Sequence, residues 1–220
     1  MHSSYTLAIT NGWPPMVSGH GRYFTGLLCN AEDTVVLVPK VTERVNDLPH
    51  VKRLFSFSGK SGGPWKIYTI LQHAEIIVRP LLWCLFSRAG WPRLVVASQP
   101  LFTGVTALLF NYLKNTPFIV VGLGEELSIA AKDDSWFRFR YRLMNLVFKN
   151  AAAIICITKN TAAILRESYA VPVEKLHVIY PGVDIDEQNV DTHAVESLKK
   201  KLVGPSKMVL MVGRVLETRK

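Results

Sequence analysis

Short runs of aliphatic and β-branched residues alternate along the chain with longer segments whose apolar residues repeat at helical spacing. The predicted strands are Tyr5–Thr10, Thr34–Val38, Val51–Phe55, Leu94–Ser98, Phe118–Val121, Ala153–Ile157 and Leu176–Ile179. The predicted helices are Gly21–Asn30, Trp65–Arg88 with Pro80 as a kink or break, Phe102–Lys114, Ser135–Asn150 and Thr161–Tyr169. Nearly continuous apolar strands separated by helices are typical of a sheet covered on both faces. The pattern therefore predicts an α/β fold with a Rossmann-like, doubly wound and mostly parallel sheet.

The composition of the chain changes after Asp184. Residues 186–207 are mostly polar or charged, with a short helical pattern at Ala194–Leu202, and are predicted to form a linker. A new run of strand formers follows at Met208–Val212. The sequence therefore predicts a Rossmann-like domain over residues 1–185, a linker over 186–207 and the first strand of a further domain over 208–220.

The composition fits a packed protein in a reducing compartment. Hydrophobic residues make up 49% of the chain and charged residues only 20%, which excludes intrinsic disorder. The three cysteines, Cys29, Cys84 and Cys156, are odd in number and far apart, so no disulfide framework is expected. The apolar stretches Ile67–Phe86 and Leu101–Leu123 are interrupted by polar residues and prolines, which argues against spanning helices. The first residues lack the pattern of a secretory signal, so a cytoplasmic location is expected.

The loops after the predicted strands are the candidate functional segments, because ligands of such sheets bind at the carboxyl ends of the strands. The first of these loops places Gly19 and Gly21 next to a predicted helix. Free amides at a helix start favour an anion, and glycine lets a phosphate approach the backbone closely. The spacing does not match the dinucleotide fingerprint G-x-G-x-x-G. A phosphate site and a plain tight turn both remain open for this loop.

Four local sequences, in the expected order, are similar to those of one enzyme family. They are Pro14-Pro15 with the loop Gly19-His20-Gly21, then Ala152–Thr158 with Thr161–Leu165, Lys175–Asp184 and Val212–Lys220. Together they resemble glycosyltransferase family 4, retaining enzymes with the two-domain GT-B fold. The resemblance covers nearly the whole chain and implies that it is the amino-terminal, acceptor-side half of such an enzyme. It implies a nucleotide-sugar donor, and no metal or other cofactor is expected.

The resemblance assigns roles to individual residues. Arg214 and Lys220 occupy the positions whose cations neutralise the donor diphosphate, because fixed cations stabilise the charge that develops on a leaving group. Gly19 and Gly21 are assigned to the same diphosphate, and His20 to the sugar or the acceptor. A solvated basic segment is the alternative interpretation of Arg214 and Lys220.

The sequence departs from the family after the fifth predicted strand. The family often has a His-Gly pair there, whose histidine contacts the donor sugar, whereas Leu123 takes the place of that histidine in this chain. No catalytic residue is therefore assigned. Glu125 and Glu126 follow directly and are predicted to bind hydroxyls of the sugar or the acceptor. Acidic residues that simply begin a helix are the alternative.

A basic aromatic segment, residues 132–144, interleaves three arginines with four aromatic residues. A helix with this pattern is typical of proteins that lie on an anionic bilayer, so Trp136, Arg138, Arg140 and Arg142 are predicted to form a membrane surface. A packed helix with a solvated arginine face is the alternative. A second candidate surface consists of Trp65, Ile67, Trp83 and Phe86 with Lys66 and Arg88. Either surface would suit a lipid-linked acceptor and a peripheral position at the inner membrane face.

The leading hypothesis is the amino-terminal domain of a hexosyltransferase-like enzyme that moves a sugar from a nucleotide sugar to an acceptor hydroxyl, in polysaccharide or glycolipid biosynthesis. The family's paired glutamates that contact the donor belong to the second domain, so this chain alone is expected to be inactive. A non-catalytic, ligand-binding Rossmann-like module is the alternative. The net charge of +9 raises nucleic acid as a third partner. Nucleic-acid binding is not expected, because the basic residues interleave with apolar ones and match no recognised motif.

Overall fold

The computed structural model describes residues 5–15, 19–41, 45–55, 65–124, 127, 135–182 and 191–203, with only the backbone described for 65–73, 135–137 and 203. The chain divides into two compact units, Met1–Gly182 and Val183–Lys220. Residues 208–220, predicted to begin a further domain, lie outside the described residues. The division into domains over 1–185, 186–207 and 208–220 therefore stays a prediction.

The described part of the first unit contains a single sheet of seven strands. The strands are β1 (Thr6–Ile9), β2 (Thr34–Pro39), β3 (Val51–Phe55), β4 (Leu94–Ala97), β5 (Phe118–Gly122), β6 (Ala153–Cys156) and β7 (Leu176–Val178). Their order is β3-β2-β1-β4-β5-β6-β7, and every pairing is parallel. The predicted Rossmann-like, doubly wound sheet is confirmed, and it is parallel throughout.

Helices connect these strands and cover both faces of the sheet. They are α1 (Gly19–Leu28), α2 (Trp65–Phe86), α3 (Thr103–Lys114), α4 (Ser135–Asn150) and α5 (Lys159–Tyr169), with a short 3-10 helix at Val173–Lys175. On one face, Leu7 and Ile9 of β1 join a core that includes buried residues of α2, α3, α4 and α5. On the other face, Ala8 packs with Phe24 and Leu28 of α1. The strands are apolar at consecutive positions because both of their faces are buried.

Helix α2 runs through Pro80 without ending there. A proline inside a helix removes one backbone donor, and the carbonyl four residues earlier loses its usual partner. That carbonyl belongs to Ile76, and it accepts a hydrogen bond from Thr106 of α3 instead. Helix α3 thus supplies the hydrogen-bond donor that α2 lacks at Pro80.

The second unit contributes one described helix, α6 (Thr192–Val203). Its first turn is capped by Asp191, whose Oδ1 accepts from the backbone N–H of Ala194 at 3.1 Å. Across the described ranges of the chain, no helix is long and apolar enough to cross a membrane.

Candidate functional site

The sheet has its topological switch point between β1 and β4. These neighbouring strands lead in opposite directions, because β1 is followed by β2 on one side and β4 by β5 on the other. Beyond the last residues of both strands, Ser98 donates its backbone N–H to the carbonyl oxygen of Ile9 at 3.1 Å, and Thr10 donates to Leu37 at 3.1 Å. A crevice at such a point, outside the carboxyl ends of the strands, is where ligands bind in open α/β sheets.

The loop after β1 is fixed by hydrogen bonds from its first residues. The buried hydroxyl of Thr10 accepts from the backbone N–H of Gly12 at 3.1 Å and donates to the carbonyl oxygen of Gly12 at 3.0 Å. A Cβ atom on Gly12 would lie only 2.9 Å from Nδ1 of His20. A side chain at position 12 would therefore collide with the imidazole of His20, so this position requires glycine. At Gly19, by contrast, a Cβ would have no atom within 4 Å.

His20 lies in the first turn of α1 and packs edge-on against Phe24, with 5.0 Å between the ring centres. Burial lowers the pKa of His20 to about 4, and a hydrogen bond with the backbone of Ser98 partly opposes that effect. The imidazole is therefore neutral near pH 7. Its Nε2 is buried without a hydrogen-bond partner in the described structure.

Two further polar atoms of this segment are buried and lack a hydrogen-bond partner. Within the described ranges, Oδ1 of Asn11 and the hydroxyl of Tyr23 are buried without partners, and burial raises the pKa of Tyr23. Sequence reasoning did not single out either residue. The sequence marks these two residues only by their positions. Tyr23 follows His20 by three positions on one helix face, and Asn11 directly follows the first predicted strand. Burying unpaired polar atoms costs free energy, and functional sites are places where such atoms persist.

The loops after β5 and β6 meet at the same edge of the sheet. Gly124 has a φ of 103°, which favours glycine, and a Cβ on Gly122 would lie 3.5 Å from side-chain atoms of Thr161 and Leu165. Thr158 caps α5, because its Oγ1 accepts from the backbone N–H of Thr161 at 3.0 Å. The side chain of Leu123, at the predicted histidine position, packs against the core on the α1 side of the sheet.

The remaining predicted residues are placed as follows. Gly19 and Gly21 begin α1, with Gly19 exposed and Gly21 buried. Arg138 and Arg142 of α4 are exposed, while Arg140 is partly buried with its Nε unpartnered. Glu125, Glu126, Arg214, Lys220 and the side chain of Trp136 lie outside the described residues. All of these assigned roles stay predictions. The described residues contain no group of three or more side chains that would hold a metal ion.

A parallel, doubly wound sheet of this kind defines a Rossmann-like domain. A family model, glycosyltransferase family 4, matches residues 35–187. The chain belongs to glycosyltransferase family 4, and the resemblance noted in the sequence is confirmed. No curated protein sequence matches the chain.

Solved structures show the same fold. HepE from Anabaena, in complex with UDP-glucose, is 13% identical with a TM-score of 0.55 over 90% of this chain and 49% of its own. Sucrose-phosphate synthase from Thermosynechococcus elongatus is 14% identical with a TM-score of 0.66 over 89% of this chain and 52% of its own. At these identities the likeness shows a shared fold alone, a Rossmann-like domain that corresponds to about half of each GT-B structure. The chain spans about half the length of these two structures.

Proposed function

We propose that the chain is the acceptor-side domain of a hexosyltransferase-like enzyme that moves a sugar from a nucleotide sugar to an acceptor hydroxyl. One observation carries the proposal: in a member of glycosyltransferase family 4, two buried polar atoms at the switch point, Oδ1 of Asn11 and Nε2 of His20, have no partner among the described residues. The complex of HepE with UDP-glucose supports a nucleotide sugar as the donor. We assign residues 208–220 to the first strand of a further domain that takes part in binding the donor.

The donor is the source of the charge that the site must stabilise. When the bond between the sugar and the diphosphate breaks, negative charge develops on the leaving diphosphate, and fixed cations lower the free energy of that state. We assign this role to Arg214 and Lys220. We assign the backbone at Gly19 and Gly21 to the same phosphates, because the amino end of a helix such as α1 favours an anion. No metal enters this scheme.

We assign binding of the acceptor to Asn11, His20 and Tyr23. An amide oxygen, a neutral imidazole nitrogen and a phenol are groups that bind sugar hydroxyls, and each has an unpaired buried atom here. Since Leu123 replaces the usual histidine and packs against the core, the loop after β5 would give the sugar no imidazole contact. Glu125 and Glu126 would add carboxylates for the hydroxyls of the sugar or the acceptor.

The acceptor is proposed to be lipid-linked. Arg138 and Arg142 are exposed on α4, as a surface facing anionic headgroups requires. An enzyme of this kind would work at the cytoplasmic face of a membrane, in the synthesis of a polysaccharide or a glycolipid.

The test supplies the full-length protein that contains this chain with a panel of nucleotide sugars. We expect transfer or slow hydrolysis with at least one donor, and no turnover by the 220-residue chain alone. His20→Ala should lower kcat/KM by about tenfold or more, because it removes a group that contacts the substrate. The matched control is Leu27→Ala, an exposed residue of the same helix. Absence of both transfer and hydrolysis with every donor would overturn the proposal.

A non-catalytic binding module is the second candidate, and the replacement of the usual histidine by Leu123 favours it. Glu126→Gln and Arg214→Met in the full-length protein distinguish the two. An enzyme loses turnover in these variants, whereas a binding module has no turnover in the parent protein and only loses affinity.

A further inference from the structure

The outer surfaces of α2 and α3 expose large apolar side chains. On α2, Val78, Leu82, Leu85 and Phe86 are 47%, 45%, 61% and 84% exposed, and on α3, Tyr112 and Leu113 are 59% and 61% exposed. We call these six residues the α2–α3 face. At 100° per residue, its four members on α2 fall within an arc of about 100°. Single exposed apolar residues are common on proteins, but a contiguous set indicates an interaction surface.

The last turns of the two helices lie at the same edge of the sheet. The helices pack against each other over one sheet face, and each leads from the carboxyl end of one parallel strand to the amino end of the next. They therefore run in the same direction, with their last turns side by side. The segment after α2 also lies on the end of α3. Trp91 donates from Nε1 to Thr116 at 2.7 Å, and Nζ of Lys114 lies 4.9 Å from the ring centre of Trp91.

Basic residues outnumber acidic ones around the α2–α3 face. Residues 75–124 contain four basic residues and one acidic residue, Glu75. Three of the four, Arg88, Arg93 and Lys114, are exposed; Arg88 and Arg93 follow the end of α2, and Lys114 is the last residue of α3. The fourth, Arg79, pairs with Glu75 one turn earlier on α2. The apolar residues are thus bordered by three exposed cations that form no ion pair within the described part of the chain.

We propose that the α2–α3 face docks the protein on an anionic lipid bilayer. Leu85 and Phe86 enter the boundary between headgroups and acyl chains, and Arg88, Arg93 and Lys114 contact the lipid phosphates. Apolar area and several cations on one face are the two contributions that peripheral binding requires, since neither gives stable binding alone.

Other occupants fit these observations less well. A second copy of the chain in a two-fold dimer would bring the same surface against itself, so the exposed cations would face each other without carboxylates. Nucleic acid would meet an apolar centre instead of a basic tract. The biological purpose of docking, access to a membrane-bound acceptor, rests on the proposed function. Vesicle binding is measured without any sugar transfer, so either proposal can fail while the other holds.

The experiment is flotation of the full-length protein with vesicles of phosphatidylcholine alone, or of phosphatidylcholine and phosphatidylglycerol in equal amounts. We expect binding to the anionic vesicles only, weakening as salt is raised above about 0.15 M. Arg88→Glu should lower the partition coefficient by about tenfold or more. Each cation near the surface contributes on the order of fivefold, and the glutamate also adds repulsion from the anionic lipids. Leu85→Ser with Phe86→Ser should lower it by at least about tenfold, through loss of apolar contact.

The controls separate docking from misfolding and from unspecific charge. Leu27→Ser removes an exposed apolar residue from the opposite face of the sheet, and Lys199→Glu makes the same charge change on exposed α6. Both should bind like the parent protein, and circular dichroism should give unchanged melting curves for all variants. Binding that is equal on neutral vesicles, or that survives the changes in the face, overturns the proposal. A concentration-dependent dimer that the serine variants abolish would also overturn it, by assigning the face to a second copy.

Discussion

The hydroxyl of Thr106 in α3 donates a hydrogen bond to the carbonyl oxygen of Ile76 in α2 at 3.0 Å. Pro80 stands four residues after Ile76 and has no N–H, so this carbonyl lacks its usual helical donor. Both residues are buried, so bulk water does not reach this carbonyl. One side chain of a neighbouring helix therefore supplies the hydrogen bond that α2 loses at Pro80, six residues before its last residue, Phe86.

Replacing this hydroxyl should destabilise the fold by a measurable amount. Thr106→Val keeps the shape of the side chain but leaves the carbonyl of Ile76 buried without a donor. We expect the free energy of unfolding to fall by about 1–3 kcal/mol in urea titrations. Thr106→Ser retains the donor and should lose less than Thr106→Val. Equal stability of the valine variant and the parent protein would contradict the role assigned to the bond.

Arg53 joins three segments at the carboxyl edge of the sheet. Its Nη2 donates to Oδ1 of Asp47 at 2.7 Å and to the carbonyl oxygen of Pro14 at 2.8 Å, and its Nη1 donates to Pro39 at 2.9 Å. Arg53→Met leaves a partly buried carboxylate and two carbonyls without this donor. We expect a loss of about 2–4 kcal/mol in the free energy of unfolding.

The matched control for Arg53 is its neighbour Lys52, which is exposed and whose Nζ donates to the carbonyl oxygen of Pro49 at 3.0 Å. Lys52→Met should change the free energy of unfolding by no more than about 0.5 kcal/mol. Asp47→Asn should cost less than Arg53→Met, because the two carbonyls keep their donor. If Arg53→Met and Lys52→Met were equally stable, Arg53 would not hold these segments together.

Gly12 and His20 are expected to be energetically coupled. A Cβ on Gly12 would lie 2.9 Å from Nδ1 of His20, so Gly12→Ala must displace the imidazole. We expect a cost of about 1–3 kcal/mol in the parent protein and a smaller cost when His20 is already alanine. Urea unfolding of the two single variants and the double variant measures the coupling. Additive costs would show that the imidazole does not set the requirement for glycine.

The sequence predicted the elements of this fold better than the contacts of its site. The strands and helices follow from local patterns. The strand Thr6–Ile9 lies within one residue of its predicted bounds at each end, and the helix Ser135–Asn150 has the bounds that the sequence predicted. The need for glycine at position 12 depends on where a helix places His20, and the bond from Thr106 to Ile76 joins residues on two helices. Such contacts arise only when the chain is folded. His20 itself was predicted through the family resemblance, whereas Asn11 and Tyr23 matched no motif.

The buried imidazole of His20 should make stability depend on pH. Its folded pKa is about 4, below its ordinary value of 6.5, because burial disfavours the charged form. Between these two values the unfolded chain binds more protons than the folded protein, so the free energy of unfolding falls as the pH falls. From about pH 7 to pH 5 the contribution of His20 amounts to a loss of about 2 kcal/mol. Urea titrations of the parent protein and of His20→Gln at both pH values measure it. The glutamine variant should lose less stability over this interval, and an identical loss in both proteins would exclude His20 as the cause.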